Sequence, residues 1–328
     1  DDDGTRAAWA ALAMREAIAA IRPLHAGAGP LGIKVAVATG PARRFLVGDP
    51  AVRRFDVLAG PTVDRMAAIA GLMWTGELLV DETTARAADP THGLEGWRAD
   101  PADTTRRFAL LARPARPDPA IRDDAAADLD PSTTAALSTD ALAGWLPPRV
   151  AERLVAGSGA LIAELRPAVS LFISLGGLSL DHPDGARTLD RTVRWIEGIV
   201  AAEDGTPIDI TIGEKGSYLF VVFGAPVAHD DDPERALRAA RAIVQPPADL
   251  GLATAPHIGI ARGRVRVGEF GGATRRTYGL QGREVVIAAR LMEQAGPGEV
   301  VVSDRIASAV GSRTRLEPLG PISVKGAA

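Results

Sequence analysis

The sequence predicts an α+β fold built on a mostly antiparallel sheet. Two observations carry this prediction. Strands with alternating apolar residues come in pairs separated by helices, and the same order of elements occurs twice along the chain. In each copy an Asp-containing turn leads into a helix, a Gly/Pro loop, strands and a hairpin, an Ala-rich helix and a short apolar strand. The chain is therefore expected to contain an internal duplication.

The second copy shows the pattern most clearly. Asp232 is expected to cap a helix that has Pro233 in its first helical position and ends near Val244. Before this helix, alternation and turn residues predict a strand over 168–174, a helix over 185–202 and strands over 207–213 and 217–223. After it, they predict strands over 257–263 and 264–268 and an Ala-rich helix that carries Arg290.

The first copy repeats this layout with weaker signals. A helix is predicted over 8–21 and a strand over 33–40. The stretch 53–70 has the layout of 274–292, and Gly76–Asp81 corresponds to Gly298–Ser303. A further strand is predicted over 107–111, a Pro-, Ala- and Asp-rich linker over 114–140, and a short helix within 145–154.

These observations predict three regions. They are a first domain over 1–113, a linker over 114–165 and a second domain over 166–328. The second domain has a segment before its Asp triplet for which the first has no counterpart, so the first domain is expected to be N-terminally truncated. The second domain is expected to lack its last strand.

The composition excludes several classes of function. A net charge of −4, a pI near 5.8 and 4% aromatic residues argue against binding to nucleic acid. No apolar run reaches the roughly 18 residues of a membrane helix, and no signal segment is recognisable. The absence of cysteine excludes thiolate metal sites and fits a cytoplasmic protein.

Five short stretches resemble the class III nucleotidyl cyclases. They are most similar to the tandem catalytic domains of soluble, bicarbonate-responsive-type adenylyl cyclases and their bacterial multidomain relatives. The stretches are VSLFIS (169–174), GEKGSYLFVVFGAP (213–226), RRTYGLQG (275–282), AARLM (288–292) and VKG (324–326). The resemblance covers 166–328 and, more weakly, 1–113. It implies ferredoxin-like domains in tandem, each with helices packed on one face of the sheet.

The resemblance also implies an activity for the intact parent protein, the conversion of ATP to cAMP and pyrophosphate. In such enzymes two aspartates of one domain hold two Mg²⁺ or Mn²⁺ ions. The second domain has Ser174 and Ser217 at these positions, and a hydroxyl does not replace a carboxylate as a ligand for Mg²⁺. No metal ligand is therefore assigned in this chain, and the ligands are expected upstream of Asp1.

By the same resemblance the second domain supplies the residues that bind the nucleotide. Lys215 and Gly279 correspond to the purine-binding positions, and Lys325 to a lysine near the polyphosphate. Arg290 corresponds to the catalytic arginine that stabilises charge on the α-phosphate, a task that suits its planar fork. Two departures weaken this site, because Gly279 brings no polar side chain and Val286 stands where the ribose-orienting Asn is usual.

The first domain has Val57, Asp64 and Ala68 at the positions equivalent to the purine-binding residue, the ribose-orienting Asn and the catalytic Arg. It therefore does not fit the role of the nucleotide-binding domain. We expect it to pair intramolecularly with the second domain as the metal-bearing partner. We also expect further C-terminal signalling domains in the parent protein.

Simpler interpretations remain open for each of these residues. Lys215 and Lys325 fit solvated turn residues, Arg290 fits a surface ion pair, and the Asp triplets fit helix caps better than metal ligands. For the whole chain, the alternatives are a degenerate cyclase pair that senses nucleotides or serves as a structural regulatory module, and a protein-interaction module.

Overall fold

The computed structural model describes residues 3–21, 30–88, 93–111, 138–157, 163–178, 180, 182–213, 216–272 and 276–321. The helices are α1 (Asp3–Ala19), α2 (Pro61–Gly71), α3 (Glu82–Ala88), α4 (Thr139–Ala143), α5 (Pro148–Val155), α6 (Gly185–Ala202), α7 (Asp232–Ile243), α8 (Arg283–Gln294) and α9 (Asp304–Val310). The strands are β1 (Val35–Val37), β2 (Arg43–Val47), β3 (Phe55–Ala59), β4 (Leu78–Val80), β5 (Leu94–Ala99), β6 (Arg107–Leu111), β7 (Glu164–Ser174), β8 (Thr206–Thr211), β9 (Tyr218–Phe223), β10 (Ile258–Gly271), β11 (Arg276–Gln281) and β12 (Val300–Val302).

The described residues divide into two compact units. The first contains most residues before 112, and the second contains most residues after 137. The segment Phe45–Val57, which is the tip of the β2–β3 ribbon, belongs to the second unit although its flanking residues belong to the first. We call this segment the tip.

The first unit is organised around a four-stranded sheet in the order β1-β4-β6-β5. β1 and β4 are parallel, with Val35 opposite Leu78, and the other pairs are antiparallel. All three residues of β4 are buried, which accounts for its continuous apolar run. Helices α1 and α3 contribute Ala8, Leu12 and Ala85 to the core beside this strand.

The second unit contains the larger sheet, in the order β11-β10-β7-β9-β8, with β12 parallel to β10. The remaining pairs are antiparallel. Its core includes Phe172, Phe220 and Tyr278 from the sheet and Met292 from α8. The predicted α+β class with a mostly antiparallel sheet is therefore confirmed.

The two units share an order of elements. In the first, α1, β1, the β2–β3 ribbon, α2, β4 and α3 follow one another; in the second, α7, β10, β11, α8, β12 and α9 do. In both, the strand that follows the Ala-rich helix pairs in parallel with the strand that follows the first helix.

One strand prediction is wrong. The predicted strands 257–263 and 264–268 are a single strand, β10, which continues to Gly271. Gly263 is not a turn residue: a Cβ atom there would lie 2.4 Å from Cγ of Glu284 on α8. The glycine permits close packing of a helix, and the sequence alone does not separate that use from a chain reversal.

The predicted cap of α7 is also wrong. Asp232 is the first residue of the helix, and the residue before it, Asp231, makes no side-chain capping bond. The Asp232 carboxylate instead accepts a hydrogen bond of 3.0 Å from the backbone N–H of His229, while Asp231 pairs with Arg235 and Arg238.

The predicted linker is described only in part, since 112–137 lies outside the described residues. α4 begins after Ser138, whose hydroxyl accepts from the N–H of Ala141 at 3.2 Å. The short helix predicted within 145–154 is present as α5, which begins at Pro148 and ends at Val155. Within the described part of the chain, no helix combines the length and the apolar character needed to span a membrane.

Candidate functional site

A cavity of about 560 Å³ opens in the second unit beside β8, β9 and the β10–β11 hairpin. Its volume is within the range usual for small-molecule pockets. Apolar and aromatic walls come from Ile208, Phe220, Phe270, Tyr278 and Leu280. Polar groups come from Arg53, Asp209, Arg276, Thr277 and Gln281.

Arg53 is placed at this cavity by the tip. The backbone N–H of Gly48 donates to Asp190 at 2.9 Å, and that of Asp49 donates to Glu197 at 2.7 Å. The N–H of Arg54 donates to the carbonyl of Gly144 at 2.6 Å. Because these bonds come from backbone groups to residues of the same unit, they fix the position of the tip chain and hence that of Arg53.

The Arg53 guanidinium is buried without full compensation. The residue is only 9% exposed, Nη1 donates to the carbonyl of Pro207 at 2.9 Å, and the guanidinium lies over the Phe55 ring at 5.1 Å. Nε is buried without a hydrogen-bond partner, and among the described residues no carboxylate forms an ion pair with it. Burial lowers the pKa of Arg53 to about 10, against the attraction of Asp209 and Glu197, so the group stays charged at neutral pH.

Glu197 does not neutralise this charge at neutral pH. Its side chain is fully buried on α6. Burial raises the pKa of Glu197 to about 8, aided by repulsion from Asp49 and Asp190 and opposed by the Asp49 N–H and Arg194. The carboxyl is therefore mostly protonated near pH 7.

The other polar groups of the cavity have defined states. One carboxylate oxygen of Asp209 accepts from the N–H of Ile210 at 2.9 Å. Arg276 is paired with Glu269 at 3.0 Å, so its charge is largely compensated. Burial raises the pKa of Tyr278 to about 12, which keeps the phenol protonated and able to donate a hydrogen bond.

Of the residues assigned to substrate binding, Gly279 lines this cavity. A Cβ atom at Gly279 would lie 3.7 Å from Cδ2 of Phe270, an ordinary contact, so the position has room for a side chain. Lys215 and Lys325 lie outside the described residues, and their roles stay predictions.

Arg290, the predicted catalytic residue, lies on α8 and donates to both carboxylate oxygens of Glu293, at 2.8 and 2.7 Å. Its side chain is 39% exposed. This is the surface ion pair that the sequence left open as an alternative. Val286, on the same helix, is 47% exposed and brings no polar group to a ribose. The catalytic role of Arg290 stays a prediction.

Ser174 and Ser217 lie on neighbouring chain segments, since the N–H of Leu175 donates to the carbonyl of Ser217 at 2.7 Å. The Ser174 hydroxyl accepts from the N–H of Gly176 at 3.2 Å. Two hydroxyls do not make a site for Mg²⁺ or Mn²⁺, and in the described part of the chain no group of three or more His, Asp or Glu side chains fits a metal ion. The metal ions implied by the resemblance therefore do not fit this pair.

Sequence reasoning missed Arg53, Asp209 and Glu197. A signal for Arg53 was present, because it stands two residues before Phe55, at the start of β3, and continues the alternation of buried residues of that strand. Asp209 and Glu197 carry no such signal, since each is one charged residue among apolar neighbours on a regular element.

Solved structures similar to this chain include adenylyl and guanylyl cyclases, at low sequence identity. The adenylyl cyclase CyaB from P. aeruginosa is 24% identical over 51% of this chain and 92% of that chain, with a TM-score of 0.47. The guanylyl cyclase Cya2 is 26% identical over 49% and 89%, with a TM-score of 0.41. The guanylate cyclase domain of RhGC from Catenaria anguillulae, in complex with GTP, is 21% identical over 49% and 90%, with a TM-score of 0.42. Neither a protein-family model nor a curated protein matches the sequence.

Proposed function

We propose that the second unit is the nucleotide-reading half of a nucleotidyl cyclase and carries no metal ions of its own. The observation that carries this proposal is a ligand-sized cavity at Gly279. It is supported by the resemblance, which puts the hydroxyls of Ser174 and Ser217 where such enzymes have metal carboxylates. A half that binds the nucleotide without metal ligands has a role only beside a partner that supplies them.

The reaction proposed for the intact parent protein is the cyclisation of ATP to cAMP with release of pyrophosphate. Carboxylates outside this chain would hold Mg²⁺ or Mn²⁺, which supply Lewis-acid chemistry when bound. Of this chain, Lys215 and the cavity at Gly279 would hold the base. Arg290 would donate to the α-phosphate after exchanging its bonds to Glu293 for bonds to phosphoryl oxygens.

The test is cAMP formation by the intact parent with Mn²⁺ and ATP, with residues 1–328 alone measured in parallel. We expect Arg290→Ala to reduce turnover by a factor on the order of 10³ to 10⁵, as for other arginines that stabilise a transferring phosphoryl group. Lys215→Ala should also lose activity. Arg241→Ala, which removes an exposed helix arginine, is the matched control and should keep the wild-type rate.

Two results would contradict this assignment. If Arg290→Ala turns over at the same rate as Arg241→Ala, Arg290 has no catalytic role and serves only in its surface ion pair with Glu293. Metal-dependent cAMP formation by residues 1–328 alone would overturn the assignment of the metal ligands to another part of the protein.

A second candidate function is a degenerate cyclase pair that senses a nucleotide without converting it. Val286 favours it, since it offers no hydrogen bond to a ribose, and so does the engagement of both Glu293 oxygens with Arg290. Binding of ATP by the intact parent without product formation would select this candidate.

A further inference from the structure

Arg53 and Asp209 line the same cavity but do not satisfy each other. They attract one another yet form no ion pair within 4.0 Å. Arg53 uses Nη1 for the carbonyl of Pro207, and Asp209 uses one oxygen for the N–H of Ile210. In the described structure, Nη2 of Arg53 and the second oxygen of Asp209 have no hydrogen-bond partner. The cavity thus offers one strong donor and one strong acceptor separated by a gap.

The surrounding walls indicate what fills that gap. Phe220, Phe270 and Tyr278 provide aromatic surface, which favours a flat ring system. An anionic group would be attracted by Arg53 but repelled by Asp209, and Arg276 is already compensated by Glu269. The two opposite charges together favour a group without net charge between them. A planar, uncharged heterocycle with an acceptor and a donor on its edge matches all of these groups.

We propose that Arg53 and Asp209 read the edge of a purine base. Arg53 donates to a ring nitrogen or carbonyl oxygen of the base, and Asp209 accepts from an amino N–H. A bicyclic base suits two groups that stand beyond ion-pair distance, and adenine and guanine both carry the required acceptor and donor. This proposal rests on the proposed nucleotide-binding function and adds two specificity-determining residues to it.

The assignment differs from the one drawn from the sequence. Gly279 brings no polar side chain to the base, so side-chain hydrogen bonds to a purine in this cavity must come from other lining residues. Arg53 comes from the tip and Asp209 from β8, far from Gly279 in the sequence. The two residues supply the polar contacts that the position of Gly279 lacks.

The experiment measures nucleotide binding by calorimetry for residues 1–328 and for the same chain with Asp209→Ala. In the first arm both proteins are titrated with ATP and with purine riboside triphosphate, which lacks the amino group. In the second arm they are titrated with GTP and with inosine triphosphate, which lacks the amino group of guanine. We expect Asp209→Ala to weaken the binding of the amino-bearing nucleotide by roughly 10- to 100-fold, as for a hydrogen bond to a charged group. The analogue without the amino group should lose much less. The arm in which this coupling occurs identifies the base.

Arg53 is tested by Arg53→Lys, which keeps the charge but loses the planar fork. We expect it to reduce the preference for purine over CTP, while the unfolding midpoint checks that the unit remains folded. Arg54→Lys is the matched control, since Arg54 is the next residue in the chain and is exposed. This variant should bind nucleotides as the wild type does.

The outcomes separate this inference from the function on which it rests. If no nucleotide binds the wild type, both are overturned. If nucleotides bind, but Asp209→Ala weakens the amino-bearing nucleotide and its analogue equally in both arms, or CTP binds as well as the purines, the base-reading role is overturned and nucleotide binding stands.

Discussion

Glu197 and Arg53 are ionisable side chains that the fold places away from water. Neither has a partner that fully offsets the loss of hydration, since Oε1 of Glu197 and Nε of Arg53 are buried without hydrogen bonds. Desolvation therefore dominates both pKa values, raising that of the acid and lowering that of the base.

Glu197 should make the stability of the protein depend on pH. Its pKa is raised from 4.5 to about 8, so between these values the folded state binds more protons than the unfolded chain. Its contribution to stability is complete below the lower value and is lost as the pH rises through the higher one. We expect the free energy of unfolding to fall by a few kcal/mol from about pH 5 to about pH 8.5, measured by urea denaturation.

Glu197→Gln should remove most of this pH dependence, because the amide does not titrate. Glu152→Gln, on the exposed face of α5, is the control and should retain the wild-type slope. An unchanged slope in Glu197→Gln would show that other groups cause the pH dependence.

At the scale of secondary structure, close packing of α8 on β10 depends on a glycine. A Cβ atom at Gly259 would lie 2.1 Å from the backbone N of Met292 and 2.2 Å from the carbonyl oxygen of Ala288. Backbone atoms of a regular helix do not move aside as a flexible side chain does, so any substitution displaces α8.

Gly259→Ala should therefore destabilise the second unit by more than about 2 kcal/mol, measured by the shift of the urea midpoint. Gly198→Ala is the matched control, since a Cβ atom at Gly198 in α6 would meet nothing within 4 Å. It should be neutral or stabilising by up to about 1 kcal/mol. Equal effects of the two variants would contradict the role given to Gly259.

Most elements could be predicted because their periodicity reflects burial. α6 and β6 have the predicted bounds, and β4 reads as a continuous apolar run because it is buried throughout. The division into two strands at Gly263 was wrong because the sequence does not distinguish a glycine that ends a strand from one that admits a neighbouring helix. The cavity residues were missed for a related reason: Arg53 and Asp209 line one cavity although they are far apart in the sequence, and no local pattern encodes that.

At the scale of the whole molecule, the second unit includes a piece of chain from far upstream. The tip buries Phe45, Val47, Phe55 and Val57, and its backbone N–H groups bond to α6. A fragment of residues 138–321 would expose the surfaces that receive these groups.

We expect this fragment to be less stable than the same unit in the intact chain, and a peptide of residues 45–57 to raise its melting temperature. The stabilisation should grow with peptide concentration, as for any ligand that binds only the folded state. A peptide in which Phe45 and Phe55 are replaced by Ser is the control. Equal effects of the two peptides would contradict a specific docking of the tip.

The upstream origin of the tip has a consequence for biosynthesis. The bond from Gly48 to Asp190 joins residues 142 positions apart, which gives the second unit a high contact order and a slow folding step. During translation the tip leaves the ribosome long before α6 and β8 exist, and its apolar residues then have no docking site. Nascent chains that have not yet reached β8 are therefore the species in which chaperone binding to this protein should be sought.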